Sequence, residues 1–135
     1  MKAAPFEYVR PRSVDEACDI LATDDSARVI AGGQTLVPMM AMRLARPTRL
    51  VDLNRIAELS FIRDDGEHFV VGAMTRQRSA ERDPLVPARL PLLARALPWI
   101  GHAATRARGT IGGSIANADP AAEGSVPPIT LDATI

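Results

Sequence analysis

Two short segments carry the residues in this chain best suited to chemistry: Ala31-Gly32-Gly33-Gln34-Thr35-Leu36 and Thr110-Ile111-Gly112-Gly113-Ser114. Each sets a glycine pair beside a hydroxyl. Adjacent glycines can take positive φ, so that successive backbone N–H groups converge on an anion with no Cβ in the way. Thr35 adds a hydroxyl donor and opens a helix whose positive end is directed at the same place. Either pair alone is more often the mark of a mere tight turn. Their recurrence points to a ligand with two linked phosphates, and the shortage of Lys beside them assigns the binding to backbone dipoles. A dinucleotide suits this better than a phosphorylated sugar. There is no G-x-x-x-x-G-K-[ST], which excludes a P-loop, and no G-x-G-x-x-G after a strand, which counts against a Rossmann site.

Other chemistry is sparse. Cys18 is the single cysteine, which excludes an internal disulfide, and His68 and His102 cannot complete a metal site with it. Cys18 falls on the apolar stripe of a helix and is expected to be a buried, inert thiol. His68 is expected to have a surface or paired structural role. The chain has 135 residues, enough for one core, with 16 Lys+Arg against 16 Asp+Glu. A neutral balance lacks the electrostatic footprint of a nucleic-acid partner. With 47% hydrophobic and 24% charged residues the chain is expected to fold. No apolar run approaches the roughly 18 residues of a membrane span, and no hydrophobic leader follows Met1. The expectation is a soluble, cytoplasmic protein.

The elements that must position the glycine pairs read as α/β. Eleven prolines and nine glycines require frequent turns. Phe6-Glu7-Tyr8-Val9-Arg10 alternates like a half-buried strand. Ser13 and Glu16 have capping-box spacing ahead of a helix from Val14 to Ala22. Arg28-Val29-Ile30-Ala31 reads as a buried strand, and Thr35 as the cap of a helix with Leu36, Met39, Met40 and Leu44 on its apolar face, ended by Pro47. Leu50-Val51-Asp52-Leu53 completes a β-α-β-α-β lobe over about residues 1–56. A second lobe, about 59–135, begins with a hairpin, Leu59–Arg63 and His68–Gly72, turning at Asp64-Asp65-Gly66. Thr75 is expected to cap a helix through Glu81. Pro91 opens another that carries Leu93, Ala96, Leu97 and Ile100 and is interrupted at Pro98. From Gly109 small residues dominate, as where backbone approaches a ligand closely.

Residues Ala31–Met40 and Thr110–Glu123 closely resemble the two flavin-binding signatures of the FAD subunit of molybdenum hydroxylases. That family includes the medium subunit of aerobic carbon monoxide dehydrogenase and the FAD domain of xanthine dehydrogenase. The likeness runs from Phe6 to about Glu123 with both motifs in order. It implies the two-lobed, PCMH-type FAD-binding fold, with the FAD pyrophosphate between the two loops. The implied contacts are Ala31, Gly32, Gly33, Gln34 and Thr35 from the first and Thr110, Ile111, Gly112, Gly113 and Ser114 from the second. Ile100 matches an apolar residue that packs on the cofactor, and Glu123 an acidic position that binds its hydroxyls. Asn117 and Asp119 either hold the loop or touch FAD, and Arg106 and Arg108 either offset phosphate charge or are solvated.

By the same resemblance the chain is a flavoprotein subunit. It passes electrons from an iron-sulfur small subunit to an external acceptor, beside a large subunit that binds molybdopterin. The flavin carries the chemistry, so no catalytic side chain is expected. The family pattern departs after Glu123 and continues beyond Ile135, which makes a fragment or a truncated homologue the expectation. The alternative is an assembly subunit without flavin.

Overall fold

A computed structural model describes residues 2–135, which form two compact units, the first ending at Glu58 and the second spanning Leu59–Ile135. In the first unit the strands β1 (Glu7–Val9), β2 (Ala27–Ile30) and β3 (Arg49–Asp52) alternate with helices α1 (Val14–Thr23) and α2 (Leu36–Ala41). The sheet is parallel with order β1-β3-β2, and Val51 is level with Val9 and Val29. The last strand to be made is therefore the central one. Leu50, Val51 and Asp52 are all buried, as a strand flanked on both sides must be. β2 is an edge with Val29 40% exposed, so the expected buried strand is β3 instead.

The α1 cap follows the sequence closely. Ser13 Oγ accepts from the Glu16 N–H at 3.1 Å, while the Glu16 carboxylate accepts from the Arg12 N–H at 2.7 Å, one residue earlier than a standard capping box. α1 buries Ala17 and half-buries Ile20 and Leu21, which puts Cys18 about 100° around the helix from Ala17. Cys18 is exposed, not buried. α2 ends at Ala41, well before Pro47, because Arg43 turns left-handed at φ 60°. Leu44 thus leaves the apolar face and is 70% exposed, and Met40 is the helix's buried residue.

The second unit opens with an antiparallel pair, β4 (Ile62–Asp64) and β5 (Phe69–Val71), turning at Gly66 with φ 92°. His68 precedes β5 and lies exposed, 3.9 Å from Asp65. Helices α3 (Gln77–Arg82), α4 (Leu85–Arg89), α5 (Pro91–Ala96), α6 (Ala103–Arg108), α7 (Ile111–Asn117) and α8 (Val126–Thr130) follow. Thr75 does not cap α3. Its hydroxyl donates to the Phe61 carbonyl at 2.8 Å and accepts from the Phe61 N–H at 3.1 Å, tying α3's approach to the hairpin. The core gathers Ala80, Val86, Leu93, Leu97 and Ile100. Pro98 converts the end of α5 into a single 3-10 turn, and the spacing of Leu93, Leu97 and Ile100 survives the change.

Candidate functional site

The first glycine loop connects β2 to α2. Gly33 lies at φ 69°, and a Cβ there would stand 3.1 Å from Val37 Cγ2 and 3.4 Å from Ile30 Cδ1. Gly32 stays outside the left-handed region, so the pair supplies one positive φ rather than two. The Gly33 and Thr35 carbonyls accept from Val37 and Met39, which turns them into α2. The N–H groups of Gly32, Gly33, Gln34 and Thr35 donate to no acceptor among the described residues. Four adjacent unused donors, with the exposed Thr35 hydroxyl not spent on a helix cap, suit an anionic ligand. The expected Thr35 cap does not form.

A polar cluster that sequence reading missed stands behind this loop. Asp52, at the end of β3 and only 2% exposed, accepts through Oδ2 from the Tyr8 hydroxyl and lies 3.3 Å from Arg10 Nε. Its Oδ1 accepts from both nitrogens of Asn54, the backbone N–H at 2.9 Å. Asn54 Nδ2 also donates to the Ala31 carbonyl at 2.9 Å, at the entrance to the loop. Burial alone would raise the Asp52 carboxyl, but the bonds from Tyr8 and Asn54 and the Arg10 charge outweigh it and hold the group below the usual carboxylate range. The bond to Asp52 correspondingly raises the Tyr8 hydroxyl. The available signal was Asp-x-Asn directly after a strand, an Asx-turn pattern.

The second glycine pair is built differently. Thr110 caps α7, its hydroxyl accepting from the Gly113 N–H at 3.1 Å, so Gly112 and Gly113 occupy the first helical turn with φ outside the left-handed region. The Ile111 N–H donates to Thr75 and the Gly112 N–H to Ala73 at 2.9 Å. These donors are spent, and the anion nest expected from the second pair does not form. Glycine is required at 112 for another reason: a Cβ would fall 2.6 Å from Ala73 Cβ and 2.8 Å from its carbonyl oxygen. Small residues here serve close packing of backbone on backbone.

Within this unit the fold brings Ile100, Ser114 and Gly124 together: a Cβ on Gly124 would lie 2.8 Å from Ser114 Oγ and 3.6 Å from Ile100 Cδ1. Glu123, next in chain, begins a 3-10 turn and is exposed. Asp119 accepts from the Ala121 N–H at 2.9 Å and so holds its loop. Arg106 is neither solvated nor free for phosphate. It is 7% exposed, meets Glu81 at 3.0 and 3.3 Å, and donates to the Ile100 and Gly101 carbonyls at 3.1 and 3.0 Å. Bonds from Arg106 and Arg78 hold the Glu81 carboxyl below its ordinary value. Ile100 itself is 8% exposed and belongs to the core. Arg108 is exposed.

A parallel β-α-β-α-β unit with unused donors in its first glycine loop is thus followed by a second unit with a capped Thr-x-Gly-Gly turn. Residues 4–135 match the family model described as the FAD binding domain in molybdopterin dehydrogenase, and the chain belongs to that family. It is 44% identical over 136 residues to the 6-hydroxypseudooxynicotine dehydrogenase complex subunit alpha of Paenarthrobacter nicotinovorans, covering 100% of this chain and 46% of that protein. It is 49% identical over 116 residues to the carbon monoxide dehydrogenase medium chain of Hydrogenophaga pseudoflava, covering 85% and 40%. A solved structure of carbon monoxide dehydrogenase from that organism superposes with TM-score 0.90 at 46% identity, over 92% of this chain and 44% of that one. Quinoline 2-oxidoreductase from Pseudomonas putida 86 gives TM-score 0.86 at 44% identity, over 88% and 42%. The chain thus spans under half the length of these relatives. No helix among the described residues is long and apolar enough to cross a membrane, and no group of three or more His, Cys, Asp or Glu could hold a metal ion.

Proposed function

We propose that the chain is the FAD-holding part of a molybdenum hydroxylase flavoprotein, which receives electrons from an iron-sulfur small subunit and passes them to an external acceptor. A molybdopterin-binding large subunit completes the assembly. The observation that carries this reading is the run of four unused N–H groups at Gly32–Thr35. In it, Gly32, Gly33, Gln34 and Thr35 hold the FAD pyrophosphate by backbone dipoles, and the Ala31 carbonyl fixes the start of the loop. Thr110, Ile111, Gly112, Gly113 and Ser114 serve the same cofactor by shape, with the Ser114 hydroxyl as their side-chain donor. Ile100 offers apolar contact, held in register by Arg106, and Glu123 binds cofactor hydroxyls. FAD, when bound, supplies the redox chemistry, and the side chains of this chain bind and orient it without moving protons.

Purification of the chain followed by denaturation tests this. Yellow protein that releases FAD, and a folded apoprotein that binds added FAD with saturation, are the expected results. Folded, colourless protein with no FAD affinity would favour an assembly subunit instead.

A further inference from the structure

We infer that Asn54 is a positioning residue for the cofactor: it holds the Ala31 carbonyl so that the N–H groups of Gly32–Thr35 are arranged before the phosphates arrive. The inference rests on the reading of that loop as the pyrophosphate site. β2 is an edge strand, paired among the described residues with β3 alone, and its ladder stops at Ile30 opposite Asp52. Beyond that point Asn54 Nδ2 holds the loop from outside by its bond to the Ala31 carbonyl, at 2.9 Å. A second side-chain bond of the loop among the described residues, Gln34 Nε2 to the Gly32 carbonyl at 3.0 Å, is internal.

The orientation of Asn54 is dictated by its neighbour. An ionised carboxylate only accepts hydrogen bonds, so Asp52 Oδ1 draws the amide nitrogen of Asn54 and rejects its oxygen. One N–H then faces Asp52 and the other faces Ala31. Asp52 is itself pinned by the Tyr8 hydroxyl and by Arg10 on its second oxygen. The chain of contacts runs from β1 through the end of β3 to the mouth of the loop, and it lowers the ordering cost that a ligand would otherwise meet. The side chain of Asn54 lies at the surface, so a truncation there leaves the core of the unit in place.

The test measures FAD affinity by flavin fluorescence and thermal unfolding without FAD, on the full chain carrying Asn54, Asn54→Ala or Asn54→Gln. One net hydrogen bond corresponds to about a three- to tenfold change in affinity. The Ala variant is expected to bind FAD weaker by about that factor at a temperature where it is fully folded, and the Gln variant to recover part of the loss. A residue of purely structural role would lower the unfolding midpoint and leave the dissociation constant of the folded protein alone. That pattern, an unfolded Ala variant, or a folded one with the parent's affinity, overturns the inference while the FAD site stands. A folded parent without FAD affinity removes the site reading itself, and this inference with it.

Discussion

Alanine at Gly112 tests why this glycine is there. The Cβ would lie 2.6 Å from Ala73 Cβ, 2.7 Å from its Cα and 2.8 Å from its carbonyl oxygen. Carbon atoms in contact prefer about 3.5 to 4.0 Å, so the first turn of α7 must retreat by roughly 1 Å from the backbone at residue 73. Overpacking of that kind costs about 1 to 3 kcal/mol. Retreat also strains the Gly112 N–H bond to the Ala73 carbonyl, now 2.9 Å, and an unsatisfied donor there adds about 1 to 3 kcal/mol. Alanine regains up to about 1 kcal/mol of helix propensity, because Gly112 already has helical φ and ψ. The net expectation is a loss of about 1 to 6 kcal/mol, or roughly 3 to 18 °C in the unfolding midpoint. Circular dichroism melts of the parent and Gly112→Ala read this directly. A variant as stable as the parent, or more so, would show that the helix gain dominates and would refute the close-packing argument.

Arg106→Lys is expected to lower stability by about 2 kcal/mol in chemical denaturation, since three ammonium donors on a single nitrogen cannot reproduce the guanidinium's four bonds, two of them a fork on Glu81. Unchanged stability would mean that the fork geometry is dispensable. Asp52 has a folded pKa below its unfolded value, so its stabilisation is present above the unfolded pKa, about 3.9, and is lost as pH falls through the folded one. Asp52→Asn should therefore flatten the acid limb of a stability-against-pH curve, and a parallel limb would contradict the assignment. Tyr8 is raised, so its contribution is present below the unfolded pKa of about 10 and is lost as pH rises through the folded value. Tyr8→Phe should cost about 1 kcal/mol at neutral pH and abolish that alkaline loss, as pH-dependent melts would report.

Local signals carried much of the architecture. The Ser13 cap, the positive φ expected of a glycine in the first loop, the Asp65-Gly66 turn and the break at Pro98 all follow from side-chain and backbone chemistry within a few residues, and such chemistry is written in order along the chain. The alternation of elements and the glycine-loop motifs were legible for the same reason. Which strand lies in the centre was not, because β3 enters between β1 and β2 only when the whole unit closes, and this exposes Val29 while burying Asp52. Cys18 was misplaced because helical spacing defines a stripe but not its width, which depends on what packs against it.

The second glycine pair shows the division most clearly. Composition alone marks Gly109–Ser114 as a place where backbone comes close to something, and that much the sequence determined by itself. The something among the described residues is the chain at Ala73, about forty residues away, together with Gln77, whose Oε1 would lie 2.6 Å from a Cβ on Gly109. Likewise Arg106 could be read as a charge, but its partners Glu81, Ile100 and Gly101 were selected by the packing of α3 against α6. Residue type determines what a group can bond to, and only the tertiary structure decides which partner arrives, because burial removes water as the competing choice.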